Sequence, residues 1–110
     1  RGLGPDHPHT LISVDNLAIV LRHQGKYDES ESMHRHSLKG REKVLGPDHP
    51  HTLISVENLA IVLRHQGKYD ESGEMHRHAW ARREKILGPD HPCTLASANS
   101  LAVVLLYRGK

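Results

Sequence analysis

The stretch Leu45 to Val62 reads LGPDHPHTLISVENLAIV, and it returns in three versions along a chain of 110 residues. Leu3 to Val20 reads LGPDHPHTLISVDNLAIV, and from Leu87 the chain reads LGPDHPCTLASANSLAVV. The three starts, 3, 45 and 87, lie 42 residues apart. A fixed period of this size marks a stacked repeat protein, in which each unit buries its face against its neighbours. Residues 3–44 and 45–86 differ at eight of 42 positions: 15, 31, 32, 37, 38, 39, 40 and 44 of the first copy. The expected units are therefore 3–44, 45–86 and a partial third copy, 87–110, carrying one helix. Such folds need roughly three repeats for stability, and about two and a half are present. A chain that begins with Arg1 and stops inside a repeat reads as a piece of a longer array.

The repeated words also mark the helices. Gly4-Pro5 breaks an incoming helix, and Pro8 suits the first turn of a new one, with Asp6 or His7 as its cap. From His9 to Gln24 the apolar residues Leu11, Val14, Leu17, Ala18 and Leu21 fall at helical spacing, with Ile12 and Ile19 as a second stripe. A helix apolar on more than one face packs on several sides. Gly25 is a natural stop, because glycine takes the left-handed conformation cheaply. A second helix is expected from about 28 to 44. Its apolar positions are sparse (Met33, Leu38 and Val44, with Tyr27 at its entry), so it is expected to be the outer helix, with one buried stripe and a wet face. The pattern predicts further helices at about 51–66, 70–86 and 93–108. Short turns make successive helices antiparallel.

Composition excludes several classes. The formal charge is +2, with 15 basic and 13 acidic side chains interspersed. A nucleic-acid groove shows a concentrated basic stripe instead. The longest apolar runs fall far short of the ~20 residues of a membrane span. Cys93 is the only cysteine, which forbids an intrachain disulfide and points to a reducing, cytoplasmic setting.

The run N-L-A-x-x-L-x-x-Q-G-K-Y-x-E-S resembles the tetratricopeptide repeat. That family has a small residue in its first helix, glycine before an aromatic at the turn, and small residues in its second helix. Ala18, Gly25, Tyr27, Ser30 and Ser37 fill those places, as do Ala60, Gly67, Tyr69, Ser72 and Ala79. Small side chains let two helices cross near ~8 Å. The family's usual period is about 34 residues. The longer form with an LGPDHP linker is similar to the kinesin light chain type and to near-identical arrays in NOD-like signalling NTPases. Near-identity between copies favours the second. Ser30 and Ser72 stand where alanine is usual, and His34 and His76 where a larger aromatic is common. The resemblance implies an all-α solenoid of antiparallel helix pairs, five helices here, acting in protein–protein interaction.

It also implies a site. In this family the first helices line a concave groove for peptides or protein segments. The matching positions are Ile12, Asp15, Asn16, Ile19, Arg22 and His23 in the first copy. In the second they are Ile54, Glu57, Asn58, Ile61, Arg64 and His65, and in the third Ala96, Asn99, Ser100, Val103, Leu106 and Tyr107. Residues 87–110 differ from 45–68 at nine of 24 positions, and all six groove positions are among them. Two readings fit: a surface that varies on a constant scaffold, or a terminal repeat that changes because its neighbour differs. Asn16 and Asn58 offer a donor and an acceptor each to an extended peptide backbone, or bond across neighbouring helices. Arg22 and Arg64 suit a carboxylate. Asp15 and Glu57 stand where chaperone-type members place a lysine, which argues against that clamp.

No catalytic residue, cofactor or metal is expected. Most of the 11 histidines are copies of one another. Equivalent positions lie at least a helix layer, on the order of 10 Å, apart, whereas a metal ion needs ligands near ~2 Å. Helical-repeat RNA binding predicts a basic groove, and an enzyme a convergent polar pocket; neither is visible. Trp80, in place of Leu38, is expected half-buried between helices. The last helix is expected to expose Leu101, Val104 and Leu105, and the chain to self-associate through its uncovered ends.

Overall fold

The structure, a computed structural model, describes residues 7–109. They form five helices: α1 (Pro8–His23), α2 (Tyr27–Leu45), α3 (Pro50–His65), α4 (Tyr69–Leu87) and α5 (Pro92–Arg108). Each helix packs mainly on the one before and the one after it. This is an all-α solenoid, as the period predicts. Leu3 to Asp6, including the Gly4-Pro5 break and the Asp6 cap, lie outside the described residues.

The starts of the first helices use histidine as a cap. Nδ1 of His7, His49 and His91 accepts the backbone N–H of His9, His51 and Cys93, at 3.2, 3.1 and 3.0 Å. One otherwise unpaired helix donor is thereby satisfied, and proline follows in the first turn. The second helices lack a side-chain cap, but open with Asp28-Glu29 and Asp70-Glu71, whose charge suits the positive end of the helix dipole. The helix-to-helix turn is a Schellman motif. Gly25 N–H donates to Arg22 O at 3.0 Å and Lys26 N–H to Leu21 O at 2.9 Å. Gly25 sits at φ +80° and Gly67 at φ +83°, a conformation that glycine adopts without penalty.

Within a copy the two helices meet at small residues. Ser30 Oγ donates to the carbonyl of Ala18 at 2.7 Å, and Ser72 Oγ to that of Ala60 at 2.6 Å. Serine in place of alanine thus bolts the crossing instead of weakening it. Leu11, Ala18 and Leu21 are buried here, as are Leu53, Ala60 and Leu63 in the second copy. Between copies, Leu59, Val62 and Leu63 form a buried cluster with Tyr27, Leu38 and Met75 around it.

Two expectations need correction. The buried stripe of α2 is not Met33, Leu38 and Val44. It is Ser30, His34, Ser37, Gly40 and Arg41, while Val44 is exposed. Ser30 tolerates burial because it bonds the Ala18 carbonyl, and His34, Ser37 and Arg41 because they bond an acid on α1, as described below. The last helix does not expose Leu101 and Val104: both are buried, and both lie against Gly73 of α4. What it exposes is Leu95, Val103, Leu105, Leu106 and Tyr107. Leu95 and Leu105 are the counterparts of Leu53 and Leu63, which are buried in the second copy. At the other end Leu17 and Val20 are exposed.

Candidate functional site

The first helices present a shared face. Between α1 and α3 lies a depression of ≈ 390 Å³, lined by Ile12, Asp15, Asn16, Ile19, Arg41, His51, Ile54 and Asn58. Six of the expected groove residues therefore meet in one place. Ile12 and Ile54 are exposed, Asn16 is exposed, and Ile19 and Asn58 are half-buried. Ile61, Arg22 and Arg64 are half-buried further along, and His23 is exposed and His65 stands at the turn edge. In the third copy Ala96, Asn99, Val103, Leu106 and Tyr107 are exposed, and Ser100 is half-buried.

Asp15 and Glu57 do not stand on this face as free carboxylates. Asp15 is only 6% exposed and forms the centre of a buried polar cluster. His34 Nδ1–H donates to its Oδ1 at 3.1 Å, and Ser37 Oγ donates to Oδ2 at 2.9 Å. Arg41 Nη1 lies 2.8 Å from Oδ2. The same Nη1 donates to Ser55 Oγ at 2.7 Å and to His51 O at 3.3 Å. Asp15 is thus consumed by its own helix pair, and Arg41 bridges to the next copy. The second copy repeats the design with a longer acid. Glu57 accepts from His76 Nδ1 and from Ser97 Oγ, and from Arg83 Nη1 at 3.0 Å. Arg83 also reaches Ser97 Oγ at 2.9 Å and Cys93 O at 3.3 Å. A buried acid is tolerated here because it is paired and fully hydrogen-bonded. The sequence carried one signal of this cluster: Asp15 becomes Glu57 in the same copy in which Ser37 becomes Ala79.

The turn edge is cationic. Arg22 and His23 close α1, and Arg64 and His65 close α3. The imidazole of His65 is held below its usual pKa by partial burial first, then by the positive charges of Arg64, Arg22 and His23. Its ring stacks on Tyr27 of the preceding copy, centroids 5.4 Å apart. At the next junction Tyr69 stacks on Tyr107 at 6.3 Å, and the Arg64 guanidinium lies over the Tyr107 ring at 5.2 Å, a cation–π arrangement. His65 and Tyr107 therefore serve the inter-copy contact as well as the face. Asn99, the counterpart of Asp15 and Glu57, has no second helix of its own copy beside it among the described residues. Tyr107, one of the six changed groove positions, thus also makes an inter-copy contact.

Among the described residues no group of three His, Cys, Asp or Glu is placed to hold a metal ion. Cys93 is free and exposed, and Trp80 is half-buried. Among the same residues no helix is long and apolar enough to cross a membrane.

Two family models, both described as Tetratricopeptide repeat, match residues 10–51 and 53–110. No curated protein matches the chain. Among solved structures, the chain is similar to a provisionally assigned kinesin light chain of Podosopora anserina with nearly identical TPR-like repeats. The identity is 29% and the TM-score 0.88, covering 97% of this chain and 51% of that one. A variant of that protein gives 29%, 0.87, 97% and 50%. The chain thus spans about half the length of the solved structures it matches.

Proposed function

Because the chain belongs to the tetratricopeptide repeat family, we propose that its first-helix face receives an extended segment of a partner protein, without chemistry. Repeats of this family generally mediate protein–protein binding. The observation that carries the reading is the depression between α1 and α3, where aliphatic walls (Ile12, Ile19, Ile54) flank the amides of Asn16 and Asn58. The isoleucines take apolar side chains, and the amides bond a peptide backbone. Toward the turn edge, Arg22 and Arg64 receive carboxylates. The preferred segment therefore carries aliphatic residues at one end and acidic residues at the other. The binding units are the copies 3–44, 45–86 and 87–110. Asp15 and Glu57 hold the scaffold and are not ligand contacts.

A displayed peptide library selected on the protein tests this. Acidic–aliphatic segments are expected to be enriched, and to be lost on a variant carrying Asn16→Ala, Asn58→Ala and Arg64→Ala. If the variant enriches the same peptides, this face is not the site.

In the parent protein the array serves as the recognition region of a cytoplasmic NOD-like signalling NTPase, a reading that rests on the resemblance of its LGPDHP-linked, near-identical copies to such arrays, although near-identical copies also occur in the kinesin-light-chain-type structures. A cargo adaptor of the kinesin light chain type is the second reading, favoured by the solved structures it resembles. Self-association belongs to the same proposal, through Leu17 and Val20 at one end and Leu95 and Leu105 at the other.

A further inference from the structure

We propose that binding of an acidic segment at the turn edge is coupled to protonation of His65, so that the face holds such a segment more tightly at mildly acidic pH. The inference rests on the proposed function, and it concerns how that site is regulated.

The geometry is an exposed imidazole that stacks on Tyr27 and lines a depression together with Lys26 and Lys68. The positive charges of Arg22 and His23 on α1, and of Arg64 beside it on α3, act on His65. Lys26 and Lys68 share with it a depression of ≈ 580 Å³ between successive turns. From α2, Tyr27 lies against the ring, and Asp28 and Glu29 line the same depression. Asp28 is engaged by Gln66 Nε2 at 2.8 Å. Lys68 is engaged by Glu31 at 3.2 Å. From α5, Tyr107 holds the Arg64 guanidinium. Arg22 and Arg64 form no ion pair with a carboxylate among the described residues.

The sign follows from the charges. In the free protein Arg64, Arg22 and His23 disfavour a further positive charge on His65, as does partial desolvation where its ring lies on Tyr27. A bound carboxylate offsets the arginines and adds an attraction of its own. The bound state therefore holds more protons than the free state, and by linkage the affinity rises as pH falls. The window lies near and below the ordinary histidine value, ~6.5, where a histidine switches charge. Partner carboxylates, with values near ~4.3, stay ionised through it.

A rhodamine-labelled hexaglutamate peptide, read by anisotropy at low salt, tests the coupling at pH 7.5 and 6.0. For the whole chain the affinity is expected to rise by ~3–10-fold on acidification, since a titration midpoint that peptide raises by about one pH unit corresponds to at most tenfold in affinity. His65→Gln is expected to lose most of the rise, read as the ratio of its own affinities at the two pH values. In the unaltered protein, the NMR titration midpoint of His65 is expected to move upward on adding hexaglutamate, a readout that does not depend on the variant folding. An equal rise in the variant, or a midpoint that peptide does not move, overturns the coupling and leaves the acidic-segment reading intact. Absence of hexaglutamate binding at both pH values overturns that reading, and the coupling with it.

Discussion

Leu17 and Leu59 occupy the same place in two copies of the same sequence, yet the first is 48% exposed and the second 0%. Val20 and Val62 differ in the same way. What separates them is α2, which covers α3 and has no counterpart in front of α1 among the described residues. In a stacked fold a residue's energetic role is set by its neighbour copy, so identical words carry different weights. The buried clusters teach the complementary lesson. Here the words differ while the role is constant. Asp15 needs the Ser37 hydroxyl, whereas Glu57, longer by one methylene, reaches Ser97 of the next copy directly, beside Ala79. Acid length and hydroxyl change together.

The largest effect is expected where the two copies are alike. Arg41→Ala strands a buried acid and Arg83→Ala a partly buried one, and each is expected to cost up to ~3–5 kcal/mol in urea denaturation followed by circular dichroism. A loss below ~1 kcal/mol at either site would mean that solvent reaches the acid. Next comes the pair that differs by position: Leu59→Ala is expected to cost ~2–5 kcal/mol, and Leu17→Ala within about 0.5 kcal/mol. Equal losses would show that something covers α1 in solution. A double-mutant cycle sharpens the acid–hydroxyl comparison. Asp15→Glu alone overfills the first cluster, at ~1–3 kcal/mol; adding Ser37→Ala should recover part of that, with a coupling of ~0.5–3 kcal/mol. Strict additivity would break the claim that the two positions are matched. The smallest effect concerns position 31 and its counterpart. Glu31 accepts from Arg35, Gln66 and Lys68, whereas Gly73 lies mid-helix with room for a methyl group: an added Cβ meets Val104 at 3.6 Å and Leu101 at 3.8 Å. Gly73→Ala is thus expected to raise stability by ~0.5–1 kcal/mol, seen as a higher melting temperature; a fall would show that α5 sits closer than it does here.

Much of this architecture was legible because its punctuation is chemical. Proline after LGPDH and glycine after Gln24 mark helix ends wherever they occur, and all five helices fall within a few residues of where that punctuation puts them. The expected face was legible only in part. Ile12, Asn16, Ile54 and Asn58 meet around one depression, whereas Asp15 and Glu57 turn between the helices. Polarity in a sequence does not distinguish a wet face from a buried, hydrogen-bonded one: the small-residue pattern put Ser30 and Ser37 at the crossing, but nothing marked Arg41 as buried. The paired change at 15 and 37 was the available clue, and it becomes readable only once α1 and α2 are laid side by side. Leu17 misled for another reason: its periodicity says that it can be buried, and only the neighbour decides whether it is.

Arg41 and Arg83 have a consequence for dynamics. Each places its guanidinium in one copy and its hydroxyl and carbonyl acceptors in the next. Opening a junction therefore breaks directional bonds as well as apolar contact, and leaves a charged group with one of its three acceptors. Amide hydrogen exchange should accordingly be slowest in α3, which is clasped on both sides, and should quicken stepwise toward α1 and α5. Melting would proceed as a zipper whose teeth are these arginines, opening from the ends and halting at each one.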